Sequence, residues 1–424
     1  MNNPTNKLIP ELRFPEFLND GEWVENKLDK LGKLIGGLTY SPSDVREKGL
    51  LVLRSSNVQN GYLDLNDCVF VDPQIKGANL TQLNDILICI RNGSKALIGK
   101  NAMITDVIPL ATHGAFMTVF RAQNPKFVFQ LFQTDTYTNQ VNADLGATIN
   151  SINGTNFLKY KFIIPKKPTE QQKIADCLSS LDEVITAHTN KLKTLKTYKK
   201  ALMQNLFPQE GEKVPKLRFK EFEKDGEWKR YKLGEVADVS KLAGYEFTKH
   251  IKYESKGNII ALRGLNIKNN SLDLTDVKYI DNSDLYMLGR SKLYIDDLMF
   301  TYIGTIGEVA LIKENNKFYL APNVSRIRAN KKNVKPKFLL QYFNIPHFKD
   351  VEISKFISSS SQPALTMGNV RLFSLLLPSL QEQEKIADTL SSLDDVINDE
   401  SNKIKQLKTH KKGLMQGLFP KVKN

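Results

Sequence analysis

Apolar residues return at alternating steps of four and three along two separate stretches of this chain. In the first stretch Ile174, Leu178, Leu181, Ile185, Leu192, Leu195, Leu202 and Leu206 keep that rhythm, interrupted only by His188 and Lys199. In the second, Ile386, Leu390, Leu393, Ile397, Ile404, Leu407, Leu414 and Leu418 keep it, interrupted at the same two steps by Glu400 and Lys411. A four-three rhythm held over more than four heptads predicts the seam of a coiled coil. Each stretch therefore reads as one long helix. Thr169 with Gln172 can form a capping box at the start of the first, and Pro208 and Pro420 end the two helices. At ~1.5 Å per residue each rod is about 55 Å long.

The two stretches are copies. From Glu170 to Pro208, 27 of 39 positions are identical to those 212 residues later. In both copies the first half is acidic (Glu170, Asp176, Asp182 and Glu183; Glu382, Glu384, Asp388, Asp394 and Asp395) and the second half is rich in lysine. A parallel pair would set acid against acid and base against base, so the charges predict antiparallel packing. Each exposed pair contributes only a few tenths of a kcal/mol, but the bias is one-sided along the whole rod.

A second repeat precedes each non-helical region. Pro10-Glu11-Leu12-Arg13-Phe14 returns as Pro215-Lys216-Leu217-Arg218-Phe219, and Asp20-Gly21-Glu22-Trp23 returns as Asp225-Gly226-Glu227-Trp228. The chain is thus two copies of one unit: a short leader, a globular block and a long helix. The segment Gln209-Glu210-Gly211-Glu212-Lys213 is the expected linker. The globular blocks, roughly 24–165 and 229–378, share only a skeleton: Leu53-Arg54 and Asn57 match Leu262-Arg263 and Asn266, and Leu63-Asp64-Leu65 matches Leu272-Asp273-Leu274. Short apolar runs at 85–90 and 297–300 predict buried strands, Gly36-Gly37, Asn60-Gly61 and Asn92-Gly93 mark turns, and 127–137 and 337–343 predict short helices. The fold class is α+β: two mixed α/β blocks, two long antiparallel helices and an internal pseudo-twofold repeat.

Charge then narrows the partners. The chain carries 60 Lys and Arg against 46 Asp and Glu, a net +14, which points to nucleic acid or another anionic surface. Cys68, Cys89 and Cys177 are too few for a disulfide framework, and the five histidines show no metal-ligand spacing. No run of 18 apolar residues predicts a membrane span, and Met1 to Pro10 lack a signal-peptide core, so a cytoplasmic protein is expected. The run Gly93-Ser94-Lys95-Ala96-Leu97-Ile98-Gly99-Lys100-Asn101 has one residue too many between its glycines for a P-loop, and Asn101 stands where Ser or Thr would hold magnesium. No catalytic residue and no metal site is predicted. Loops that mix Arg and Lys with Asn, Ser, Thr and Tyr can hold phosphates and read base edges. In the first block these are Tyr40, Arg54, Asn57, Arg91, Asn92, Ser94, Lys95 and Lys100. In the second they are Lys241, Tyr245, Arg263, Asn266, Tyr302, Thr305, Arg326 and Gln362. Arg54 and Arg263 are matched between blocks, so they serve a common role, either a phosphate clamp or an ion pair internal to the fold.

Taken together, the duplicated Glu-Gln-x-Lys-Ile-Ala helices, the Leu-Ser-Ser-Leu-Asp runs at 178–182 and 390–394, the Leu-Met-Gln-x-Leu-Phe-Pro endings and the two divergent blocks resemble the specificity subunit of Type I restriction–modification systems. The resemblance implies a target recognition domain with its leader at 1–165, a helix at 166–208, a linker and repeated leader at 209–228, a second target recognition domain at 229–378 and a helix at 379–424. It implies that each domain reads one half of a bipartite site in double-stranded DNA. It also implies that the helices set the gap, and that two methyltransferase subunits and restriction/motor subunits join the chain. S-adenosylmethionine, ATP and Mg²⁺ are then expected in those partners, with no cofactor in this chain. A stand-alone sequence-specific regulator, an enzyme with a hidden activity and a pure coiled-coil scaffold are the competing readings.

Overall fold

The structure is a computed structural model that describes residues 8–59, 61–145, 150–357 and 363–420. Asn60 of the expected turn and Gln362 lie outside the described residues. The chain forms two compact units, one built from the described residues of 1–189 and 402–424, the other from 190–401. Each long stretch is an unbroken helix of 39 residues, the central one Pro168–Leu206 and the C-terminal one Leu380–Leu418.

Both units contain helix packed against helix in opposite directions. In the first, Leu418 shares a core with Ile174 and Leu178, and Lys411 holds Asp182 at 2.6 Å. In the second, Met203 and Leu206 share a core with Ile386 and Leu390, Lys199 holds Asp394 at 2.5 Å, and Lys191 holds Glu400 at 3.1 Å. As one helix runs on, its partner's numbers fall, which is antiparallel pairing. The seam positions are buried or half-buried throughout: Ile174, Leu178, Ile185, Ile386, Leu390, Ile397 and Ile404 are buried, while Leu181, Leu192, Leu195, Leu202, Leu393, Leu407 and Leu414 are half-buried. The acids divide their work differently from the expectation. Asp182 and Asp394 pair across the helices, but Glu170 and Glu382 face the leaders, and Glu384 and Asp388 face Lys335 and Lys337 of their own block. The expected Thr169–Gln172 capping box is also displaced: the helix starts at Pro168, which puts Thr169 inside the first turn.

The leaders explain why their short motif is repeated. Arg13 grips Glu170 with Nε and Nη2 at 2.7 and 2.9 Å, and the Trp23 indole N–H donates to the same carboxylate at 3.2 Å. Arg218 grips Glu382 identically, at 2.8 and 2.7 Å. Both carboxylates are 1% exposed, so charge and geometry must be met from within the fold.

In the first block a four-stranded antiparallel sheet runs in the order Gly32–Gly36, Met117–Ala122, Ile86–Cys89, Asn101–Met103. A second sheet orders Ala111–His113, Leu50–Leu53, Val69–Val71 and Val45–Arg46, with its first pair parallel. The second block repeats this: Ala237–Lys241, Val324–Ala329, Leu298–Thr301 and Val309–Leu311 form one sheet, and Lys278–Tyr279, Ile260–Leu262 and Phe318–Leu320 the other. A helix in each block, Pro125–Leu131 and Pro336–Tyr342, seats the block on its long helix. The fully buried Gln130 and Gln341 amides donate to Asp182 at 3.0 Å and to Asp394 at 2.9 Å. The expected helix over 127–137 is in fact two, the second being Asp135–Asp144.

Candidate nucleic-acid interface

The matched Arg-x-x-Asn motif is a turn that follows strand Leu50–Leu53 in the first block and strand Ile260–Leu262 in the second. In the first block the Arg54 N–H donates to Asn57 Oδ1 at 2.8 Å, and Asn57 Nδ2 donates to the carbonyls of Asp64 and Asp67, both at 2.9 Å. The Arg54 guanidinium returns to the Asp67 carboxylate at 2.7 Å. The second block has the same arrangement: the Arg263 N–H donates to Asn266 at 3.1 Å, Asn266 donates to the carbonyls of Asp273 and Asp276 at 2.9 and 2.8 Å, and Arg263 reaches the Asp276 carboxylate at 3.2 Å. Both arginines make an ion pair with the aspartate that ends the loop and stay partly exposed, 32% and 21%. Asn57 and Asn266 are fully buried with their amides committed, so they leave the set of residues that can touch DNA.

Above this turn the blocks diverge. In the first, Asn92 Nδ2 donates to Ser55 Oγ at 3.0 Å and Asn92 Oδ1 accepts the Ser94 N–H at 3.0 Å, which fastens the 91–95 loop over the turn. Arg91, Ser94 and Lys95 are exposed there. Next to them the Phe116 carbonyl accepts the N–H groups of Ile90 and Arg91 at 3.0 and 3.1 Å, and its ring lies 5.8 Å from the Arg91 guanidinium. In the second block the same place is a concavity of about 600 Å³ lined by Tyr253, Arg263, Leu265, Lys268, Thr305 and Asn323, among others. Burial pushes the Tyr253 hydroxyl above its usual range, while Lys268 and then Thr275 hold the Asp273 carboxyl well below the carboxylate range. Backbone hydrogen bonds fix the correspondence. The Gly114 N–H donates to the Leu53 carbonyl at 3.0 Å, as the Ala321 N–H donates to Leu262 at 2.9 Å, and a six-residue strand begins three residues on in both blocks. Phe116 therefore matches Asn323, and Arg91 matches Ile303.

The remaining candidates are placed elsewhere. Tyr302 is buried in the core, where its carbonyl accepts the Leu365 N–H at 2.9 Å, and Lys241 covers its ring at 5.2 Å. Arg326 is 7% exposed and tied to Asp238 and to the Arg290 carbonyl, an ion pair of the sheet. These burials withdraw Tyr302 and Arg326 as base readers. Tyr40 packs half-buried on Leu38, Leu50, Val52 and Val71, Lys100 is half-buried beside strand Asn101–Met103, and Tyr245 is exposed on helix Gly244–His250, outside the concavity. The P-loop-like run joins two antiparallel strands through a single 3₁₀ turn, Lys95–Leu97, and no helix follows to cradle a phosphate. Residue pattern alone missed Phe116, Leu265, Lys268 and Asn323. Extending the Arg54–Arg263 match along the next strands would have reached them.

Among the described residues no cluster of three or more His, Cys, Asp or Glu could hold a metal ion, and no helix is long and apolar enough to cross a membrane. Residues 20–197 and 225–409 match the model of the Type I restriction modification DNA specificity domain, once for each repeat. The chain belongs to that family. It is a sequence-specific DNA-recognition subunit that works in a complex with others, and in this family catalysis belongs to the other subunits. The EcoKI specificity subunit of Escherichia coli is 25% identical over 393 residues, covering 88% of this chain and 82% of that protein. A putative MjaX specificity subunit from Methanocaldococcus jannaschii is 30% identical over 161 residues, 37% of each chain. The crystal structure of a Type I S subunit from M. genitalium has the same fold, with a TM-score of 0.65 at 13% identity over 98% of this chain and 100% of that one.

Proposed function

We propose that residues 24–165 and 229–378 are two target recognition domains, each reading one half of a bipartite DNA site. The observation that carries this reading is the matched turn: its buried asparagine makes the same three hydrogen bonds in both blocks, while the exposed residues over it differ. One scaffold with two unlike rims suits two unlike half-sites. In this reading Arg91, Asn92, Ser94 and Lys95 in the first domain, and Thr305 with Lys268 and Asn323 in the second, meet bases, and Lys241 and Tyr245 meet the backbone. Two antiparallel helices of 39 residues, about 58 Å each, set the gap between half-sites. Two methyltransferase subunits bind along the helices, and restriction/motor subunits complete the complex in the cytoplasm. S-adenosylmethionine, ATP and Mg²⁺ belong to those partners.

The experiment is to map methylated adenines in cells that carry this chain with its partners. Exchanging 24–165 for another member's block should change one half-site and leave the other half and the gap as they were. Adding one heptad to each helix, about 10 Å of rise, should widen the gap by about three base pairs with both half-sites intact. A target that ignores the block exchange would end the reading.

A further inference from the structure

Phe116 is 57% exposed in the middle of a polar rim. Its backbone leaves it little choice of position, because two N–H groups hold its carbonyl, but the fold does not need a ring there: Asn323 fills the matching place in the second block. An exposed aromatic ring is unfavourable in water and becomes favourable once an apolar group covers it. The Arg91 guanidinium lies 5.8 Å from the ring centroid. A guanidinium held against a ring keeps its planar fork in one orientation, where it can make two parallel hydrogen bonds.

In the major groove only guanine offers O6 and N7 together to such a fork, and only thymine offers a methyl group to an apolar side chain. We propose that Arg91 and Phe116 act as one reader of two neighbouring base pairs in the first half-site, Arg91 on a guanine and Phe116 on the methyl of the thymine beside it. The second block has Ile303 and Asn323 in these places and cannot make this pair of contacts. This assignment rests on the reading of 24–165 as a DNA-binding domain.

The test uses the full complex of this chain with its methyltransferase subunits, on duplexes carrying its mapped target. Each thymine of the first half-site is replaced in turn by deoxyuridine, which removes only the methyl. One replacement, next to a guanine, should weaken binding about fourfold, the effect of one buried methyl. The same replacement should have no effect on the Phe116→Ala complex. Arg91→Lys should weaken binding to the intact target by roughly tenfold and relax the preference at that guanine, since an ammonium cannot make the paired bonds. Unchanged selection of the second half-site shows that the variants are folded, and the deoxyuridine series on the natural chain needs no variant. If no thymine responds, or if the response survives Phe116→Ala, the proposal is overturned. Should exchange of the whole block leave the target unchanged, the domain assignment itself falls; should the exchange work while Phe116 is silent, only the paired reader falls.

Discussion

Asn57 and Asn266 make the same three hydrogen bonds in the two blocks, yet the residues over them, Phe116 and Asn323, share no chemistry. The contrast follows from burial. A buried amide must have partners for all of its polar atoms, and only one residue type at one spacing supplies them here. A side chain on the rim has water as a default partner, so it can change freely and carry the difference between two targets. Among the repeated leader residues, Arg13 and Arg218 are held by the same requirement, since each meets a carboxylate that is 1% exposed.

The contrast can be broken at its strongest point first. Arg13→Ala strands Glu170, and Arg218→Ala strands Glu382. Each should cost about 3–5 kcal/mol in urea unfolding, and a cost near zero in either would show the two frames are not equivalent. Asn57→Leu and Asn266→Leu should each lose about 1–3 kcal/mol, since two carbonyls and one N–H are left without a partner. Lys411→Met and Lys199→Met should each cost about 1–2 kcal/mol, and a double-mutant cycle with Asp182→Asn or Asp394→Asn should recover the coupling.

A finer test uses a buried difference. His113 pairs with Leu53, and Leu320 pairs with Leu262, so the second block has leucine where the first has a fully buried imidazole. Burial pushes His113 below its ordinary value, and its Nδ1 has no hydrogen-bond partner. The unfolded chain therefore takes up this proton at a higher pH than the folded one. Stability should be unaffected above about pH 6.5 and fall as the pH drops below it, by at most about 1.4 kcal/mol per pH unit. His113→Leu should remove that dependence from the first unit. Thr305→Ala, on the rim, should change stability by less than about 0.5 kcal/mol while altering target choice.

The helices could be read from the chain because a four-three rhythm survives any detail of packing, and lysine against aspartate set their direction. The partner of each acid is less legible: Glu170 and Glu382 are answered by an arginine about 160 residues away, at a separation no periodicity shows. The candidate interface was only half visible. Polar loop residues look alike in sequence whether they face water or carbonyls, so nothing in the sequence separates Asn57 and Arg326 from Arg91 and Thr305, though burial does. Phe116 was hidden for the opposite reason, since an aromatic residue before a strand reads as core.

In the proposed function two matched frames with unlike rims each read their own half of one site. The most direct test is to replace 229–378 with a second copy of 24–165 and sequence the methylated adenines made by the resulting complex. The expected target is two copies of the first half-site at the original gap. An unchanged asymmetric target would contradict it.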